Sequence, residues 1–187
     1  MRDQILAAAI EEITESGIKF TMNDLVRRLS ISKSTLYAHF RSKEELVGAI
    51  VDLSLATVRQ KEKSILDDNT LNVAEKLKAL TVIYPPMTIS IRAMLDLKRH
   101  FPKEWEKGER HRIEKWKTIE SLLDQGIKAG CFRPVDLTML SLIFNGTVKE
   151  LMDDQDFFIH NSLSFNDAMN KVADIILWGI MNPNGAE

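Results

Sequence analysis

TMNDLVRRLSISKSTLYAHFRSKEE, residues 21–45, crowds three helix starts into one short span. Thr21 is followed three positions later by Asp24, and Phe20 and Leu25 flank that cap as a hydrophobic staple. Ser32 offers a second cap, with Ile31 and Leu36 in the staple positions. Ser42 opens a third start, S-K-E-E, in which Glu45 is placed to close a capping box. Starts this close leave room only for short helices joined by tight turns, the layout of a helix-turn-helix reader of the DNA major groove. The same span carries Arg27, Arg28, Lys33, Arg41 and Lys43, with no acid between Arg27 and Lys43.

The surrounding chain makes that charge cluster an exception. The 187 residues carry a net charge of −2, so the part outside the cluster is net acidic. A basic patch on an acidic body marks the surface that meets phosphate. At 44% hydrophobic, with few Gly and Pro, the chain is globular and long enough to bury a substantial core. Cys131 is its single cysteine, which excludes an internal disulfide and a multi-cysteine zinc site. His100, Glu104 and His111 are close in sequence, but Pro102 breaks the helical spacing, so no metal site is expected. No cofactor motif or catalytic constellation is visible, so no cofactor is expected and the chain does not read as an enzyme. No apolar run is long enough to span a bilayer and no cleavable signal layout is present, so a cytoplasmic location is expected.

Elsewhere the helical period dominates, and the fold class reads as all-α. A first helix buries Ile5, Leu6, Ala9, Ile10 and Ile13 and ends near Gly17. The helix opened at Ser42 continues towards Leu66, and another starts at Thr70 or Asn72. Pro85-Pro86 interrupts or bends the chain beyond Leu80, a helix is expected over about 87–100, and a longer one runs from about 104 to 128. Pro134 marks the next start, residues 153–164 read as a polar loop, and a last helix spans 165–181. Helices 136–152 and 165–181 are apolar on more than one face, so both faces need cover; a second subunit is the favoured source.

In the helix after Ser32, Lys33, Ser34, Thr35, Tyr37 and His39 fall within two turns of the cap, where an inserted helix reaches base edges. Lys33 can reach phosphate or guanine, Thr35 a thymine methyl or a hydrogen bond, and Tyr37 backbone or base. The N-terminus at Ser42-Lys43 is a ready phosphate site.

The stretch Ile5–Asp52, centred on I-S-K-S-T-L-Y-A-H-F-R-S-K-E-E-L, resembles the DNA-binding domain of the tetracycline-repressor (TetR) family of bacterial regulators. L-L-D-Q-G-I-K-A-G-C-F-R-P resembles a segment that precedes that family's two dimer-forming helices. The resemblance implies an N-terminal three-helix reading head over 1–48 and a larger helical ligand-binding and dimerisation domain over 49–187. It implies phosphate contacts from Thr21 and Lys43, a groove-facing set of Lys33, Ser34, Thr35 and Tyr37, and His39 near the backbone. The implied function is a homodimeric repressor that binds a palindromic operator in double-stranded DNA. A small apolar or amphipathic effector would release it, against walls drawn from Met87, Met94, Phe101, Trp105, Trp116 and Phe144. The alternative is an interaction or antagonist protein of the same fold that regulates without direct operator repression. Two positions depart from the family's pattern: Ser30 and Ser34 stand where Gly is frequent, so the turn is expected to carry strain. Only Arg2 stands where many relatives have a basic arm, so little minor-groove contact is expected from that end.

Overall fold

The computed structural model describes residues 1–83, 91–153 and 155–182. Their order is α1 (Arg2–Ser16), a 3-10 turn (Gly17–Lys19), α2 (Met22–Leu29), α3 (Lys33–His39), α4 (Lys43–Asp67), α5 (Val73–Val82), α6 (Ile91–His100), α7 (Pro102–Lys128), α8 (Leu137–Asp153), α9 (Gln155–Asn161) and α10 (Phe165–Ile180). Among the described residues the only β-type pairing is one isolated bridge between Phe132 and Met181. Pro85-Pro86 and Met87 lie outside the described residues.

Local chemistry sets most boundaries. Thr21 caps α2, its hydroxyl accepting from the Asp24 amide at 3.3 Å while the Asp24 carboxylate accepts from the Thr21 amide at 2.7 Å. Ser32 caps α3 by accepting from the Thr35 amide at 3.0 Å. Asn72 and Ser164 close equivalent boxes at the starts of α5 and α10 with Glu75 and Asp167. At α4 the box differs from its expected form: Ser42 accepts from the Glu45 amide at 3.2 Å, but Glu45 reaches back to the amide of Arg41 at 2.8 Å. Gly17 has φ 72 and ψ −171, a conformation suited to glycine but outside the left-handed helical region. The expected 153–164 loop contains α9, whose Phe158 ring meets Phe165 of α10 at 6.2 Å. Apolar packing, which a reading of polar residues misses, supports that single short helix.

The chain divides into two compact units. The first comprises residues 1–57 and, of the described residues, 91–110; the second takes 58–83 and the rest. In the first, Leu6, Leu25, Leu36, Phe40, Leu46 and Ile50 form one core with Ala93 and Phe101 of the α6–α7 region. This apolar centre holds α2 and α3 at the surface. In the second, Leu77, Ile119, Leu123, Phe132 and Ile180 form a separate core that ties α5, α7 and α10 together.

Candidate nucleic-acid interface

The outward face of α3 is set by what its inward face must bury. Leu36 and Phe40 are fully buried, which leaves Lys33, Ser34 and Tyr37 exposed, with Thr35 and His39 half-buried beside them. Tyr37 keeps 45% of its surface, a large aromatic left in water on a seven-residue helix. The hydroxyls of Ser34 and Thr35 both lie 2.8 Å from Ser32 Oγ. Ser32 has one proton to give and already accepts from the Thr35 amide, so one of these two hydroxyls must donate and the other accept. Either can be redirected to a base edge or a phosphate at the cost of one hydroxyl hydrogen bond.

Ser30 ends α2 in the left-handed region, at φ 52 and ψ 39, with its amide directed at the carbonyls of Arg27 and Val26. The turn into α3 therefore uses the geometry that glycine adopts without penalty. Ser34, by contrast, is ordinary α-helix.

The five cations of the head are not equivalent. Arg28 is held by Glu11, Glu12 and Glu15 of α1, at 3.0 Å and 2.7 Å for the first two, and those carboxylates raise its pKa further. Arg27 pairs with Asp24, whose own pKa falls to about 2 because Thr21 donates to it from side chain and backbone and Arg27 adds its charge. Lys43 donates to the carbonyl of Ile18 and lies 4.5 Å from the Phe20 ring centre and 5.9 Å from that of Phe101. Burial pushes the Lys43 pKa down. Lys33 and Arg41 remain exposed, with no side-chain ion pair or hydrogen bond among the described residues. The sequence marks Arg41 only as one charge of the cluster; its exposure shows once Phe40 is seen to turn inward. Thr21 gives both its amide and its hydroxyl proton to Asp24, the latter at 2.7 Å. Arg2 starts α1 and places its guanidinium 4.9 Å from the Phe40 ring centre.

The residues expected to wall an effector pocket separate into two groups. In the first unit, Met94 and Trp105 line a cavity of about 110 Å³, and Phe101 belongs to the same unit's core. In the second, Trp116 and Phe144 stack at 5.8 Å around a gap of about 20 Å³, too small for an organic ligand. Sequence reading did not find the polar cluster of the second unit. His111, buried on α7, places Nε2 3.2 Å from Glu62 Oε1, and Lys115 Nζ is 3.6 Å from the same oxygen while donating to the Ile83 carbonyl. Burial lowers the Lys115 pKa to about 8, and His111 Nδ1 is buried with no hydrogen-bond partner among the described residues. Forty-nine residues separate Glu62 from His111, and no local pattern signals such a pairing.

A short helix with a solvent-facing polar and aromatic edge, set behind a capped helix and a tight turn, defines a DNA-reading protein of the helix-turn-helix class. Residues 5–50 match the family described as bacterial regulatory proteins, tetR family. Over 182 residues the chain is 27% identical to an uncharacterized HTH-type transcriptional regulator, YvaF of Bacillus subtilis, covering 96% of this chain and 95% of that one. Its fold matches a putative transcriptional regulator from Saccharomonospora viridis, solved in complex with choline, with a TM-score of 0.74, 19% identity and coverage of 96% and 97%. It also matches the ketosteroid transcriptional regulator KstR2 of Mycobacterium tuberculosis, with a TM-score of 0.65, 23% identity and coverage of 96% and 94%. Residues 5–50 thus match the DNA-binding region of the tetR family, and the full-length relative is a transcriptional regulator. Among the described residues, no helix is long and apolar enough to cross a membrane.

Proposed function

We propose that the chain is a homodimeric, effector-responsive repressor of a palindromic DNA operator. The observation that carries this reading is the apolar surface left open on α8 and α10. Leu142 and Ile143 of α8 and Ile175 and Trp178 of α10 are all largely exposed, Trp178 at 84% of its surface. Built Cβ atoms at Gly146 and Gly179 would meet nothing within 4 Å, so a partner backbone can approach closely there. A monomer that exposes a tryptophan so fully, with three aliphatic side chains of α8 and α10 also in water, gains by covering them. A two-fold dimer also supplies the second reading head, since half-sites lie about 34–36 Å apart along one face of DNA.

On each head Lys33, Ser34, Thr35 and Tyr37 would read the groove, with His39 near the backbone. Thr21 and Lys43 would reach phosphate only by giving up the partners they hold here, Asp24 and the Ile18 carbonyl. Lys33 and Arg41 carry the readily available charge. The domain division at 48 follows the same logic, with the helical remainder supplying dimer and effector functions. A small apolar or amphipathic effector fits the family's C-terminal domain; a ketosteroid regulator and a choline-bound regulator share this fold. Such a molecule releases DNA only if it binds the non-DNA conformation better. Footprinting on the promoters of its own and neighbouring genes tests the reading. A protected two-fold symmetric site at low salt is expected, and its absence at every promoter tried would overturn operator repression.

A further inference from the structure

The corner between α6 and α7 carries positive charge that the reading head does not include. K-R-H-F-P-K, residues 98–103, holds Lys98, Arg99 and Lys103 with no acid among them. Phe101 is buried in the core that also holds Leu36, Phe40 and Leu46, and its carbonyl accepts from the amides of Glu104 and Trp105, both at 3.0 Å. The corner is therefore pinned inward at one residue, and Lys98, Arg99, His100 and Lys103 are left exposed around it. Lys98 rests 5.7 Å from the Trp105 ring centre. Arg99, His100 and Lys103 make no side-chain hydrogen bond or ion pair among the described residues.

The place of the corner within the first unit gives these cations a use. The Phe101 ring centre is 5.9 Å from Lys43 Nζ, and Asp96 is near enough to act on that charge. α6 also packs on the 3-10 turn, where Lys19 is exposed. The corner thus adjoins the starts of α2 and α4, where Thr21 and Lys43 stand. Helix-end electrostatics explain the cations in the last turn of α6, which complement its C-terminal dipole. They do not explain Lys103, which stands in the first turn of α7, where a cation is unfavourable. Nor do they explain Lys19, which lies outside both helices. Of the nearby acids, Asp96 is half-buried and Glu104 is committed to Lys107 at 2.7 Å, which leaves Glu106 exposed.

We propose that this corner is a second DNA-binding surface, with Arg99, Lys103 and Lys19 holding backbone phosphates outside the stretch that α3 reads. The proposal rests on the operator-binding reading and adds to it a contact from beyond residue 48. Long, exposed and unpaired cations select phosphate as the ligand class. Such contacts position the protein on the duplex without adding sequence information. Arg27, Arg28 and Lys43 are committed within the head, so the corner enlarges the charge available to DNA beyond Lys33 and Arg41.

The test titrates full-length protein into a labelled DNA duplex of arbitrary sequence at several salt concentrations, since non-specific binding is electrostatic and needs no operator. Arg99→Ala combined with Lys103→Ala should lower the slope of log affinity against log salt by about 2 per bound head, from roughly 0.9 for each phosphate contact. Lys61→Ala combined with Lys63→Ala removes the same charge from exposed positions of α4, about 27 Å beyond Lys43 and outside the screening length, and should leave the slope unchanged. Arg99→Gln with Lys103→Gln repeats the measurement should the alanine pair fail to fold. The proposal is overturned if the corner pair keeps the parent slope while Lys33→Ala lowers it, an outcome that leaves the reading head intact. It is equally overturned if the Lys61 and Lys63 pair lowers the slope as much, because net charge alone would then be responsible. A slope lowered by the corner pair but not by Lys33→Ala supports the corner and refutes the head. A slope unmoved by either refutes both. Loss of binding to phosphatidylglycerol vesicles in the corner pair, with the DNA slope unchanged, would overturn the proposal in favour of a membrane partner.

Discussion

Gly126 lies so close to the ring of Phe132 that a methyl group on its Cα would sit 2.1 Å from Cδ2 and 2.2 Å from Cε2. Phe132 is 1% exposed, and its amide and that of Cys131 both return to the Gly126 carbonyl, at 3.1 Å and 2.9 Å. The end of α7 therefore folds back so that this ring fills the space a side chain would take. Gly126→Ala should cost about 1–3 kcal/mol, as overpacking of a tight core does. At roughly 2–4 °C per kcal/mol for a chain of this size, the melting temperature should fall by several degrees. Pairing it with Phe132→Leu should lose less than the two single changes together, measurable as a double-mutant cycle by calorimetry.

Ser30 gives the opposite sign. An L-residue in the left-handed region costs roughly 1–2 kcal/mol, and glycine removes that cost while adding freedom to the unfolded chain. Ser30→Gly should therefore stabilise the protein by a net of about 0.5–1 kcal/mol in urea unfolding. An unchanged or lower midpoint would mean the turn carries no strain.

These two glycine-type positions differ in how visible they are from sequence. Ser30 is flagged by resemblance, as a departure from the family's pattern where Gly is frequent, whereas Thr21–Asp24 and Ser32–Thr35 are legible because caps and helix starts are written in residues two to four apart. Gly126 reads as one more helical residue, because its neighbour Phe132 comes into range only after the chain reverses. Lys43 obeys the same logic. It stands at a helix start, where phosphate is the expected partner, but the Ile18 carbonyl and the rings of Phe20 and Phe101 compete for it. The all-α class and the reading head were legible because their signals are local and periodic. The Glu62–His111–Lys115 cluster depends on the packing of distant helices.

The unequal cations make a prediction about salt. Each phosphate neutralised adds roughly 0.9 to the slope of log affinity against log salt. Lys33→Ala and Arg41→Ala should each lower that slope by about 1, weakening all sequences alike if the contact is to phosphate alone. Arg28→Ala should leave the slope near its parent value and instead loosen α1 from α2, because its charge is already spent on Glu11, Glu12 and Glu15. Titrations of a labelled operator at several salt concentrations distinguish the two classes. A full unit lost on changing Arg28 would refute this assignment.

Trp178 tests the dimer. Trp178→Glu places a charge at the most exposed of the large apolar side chains on α10. Burying an unpaired carboxylate is costly enough to oppose association outright. Sedimentation velocity should show the parent as a dimer and the variant as a folded monomer with unchanged far-UV circular dichroism. The variant should also lose operator affinity, since it presents one reading head. A variant that remains dimeric would place the interface elsewhere.

Lys115 predicts a pH dependence whose sign is set by its burial. Its folded pKa is lowered to about 8 against an ordinary 10.5, because burial penalises the charge more than Glu62 compensates it. Between those two values the unfolded chain binds more protons at this site than the folded one, so stability must rise as pH increases from about 8 to 10.5. Below pH 8 the lysine is charged in both states and the full penalty stands. The gain across the window is about 3 kcal/mol at most, from 1.36 kcal/mol per pKa unit. Lys115→Met removes the titration while retaining much of the side-chain volume. Urea unfolding of both proteins at several pH values should give a parent stability that climbs relative to the variant above pH 8 and levels off near 10.5. Parallel curves would mean that Lys115 is solvated in the folded protein and that the Glu62–His111–Lys115 cluster is open to water.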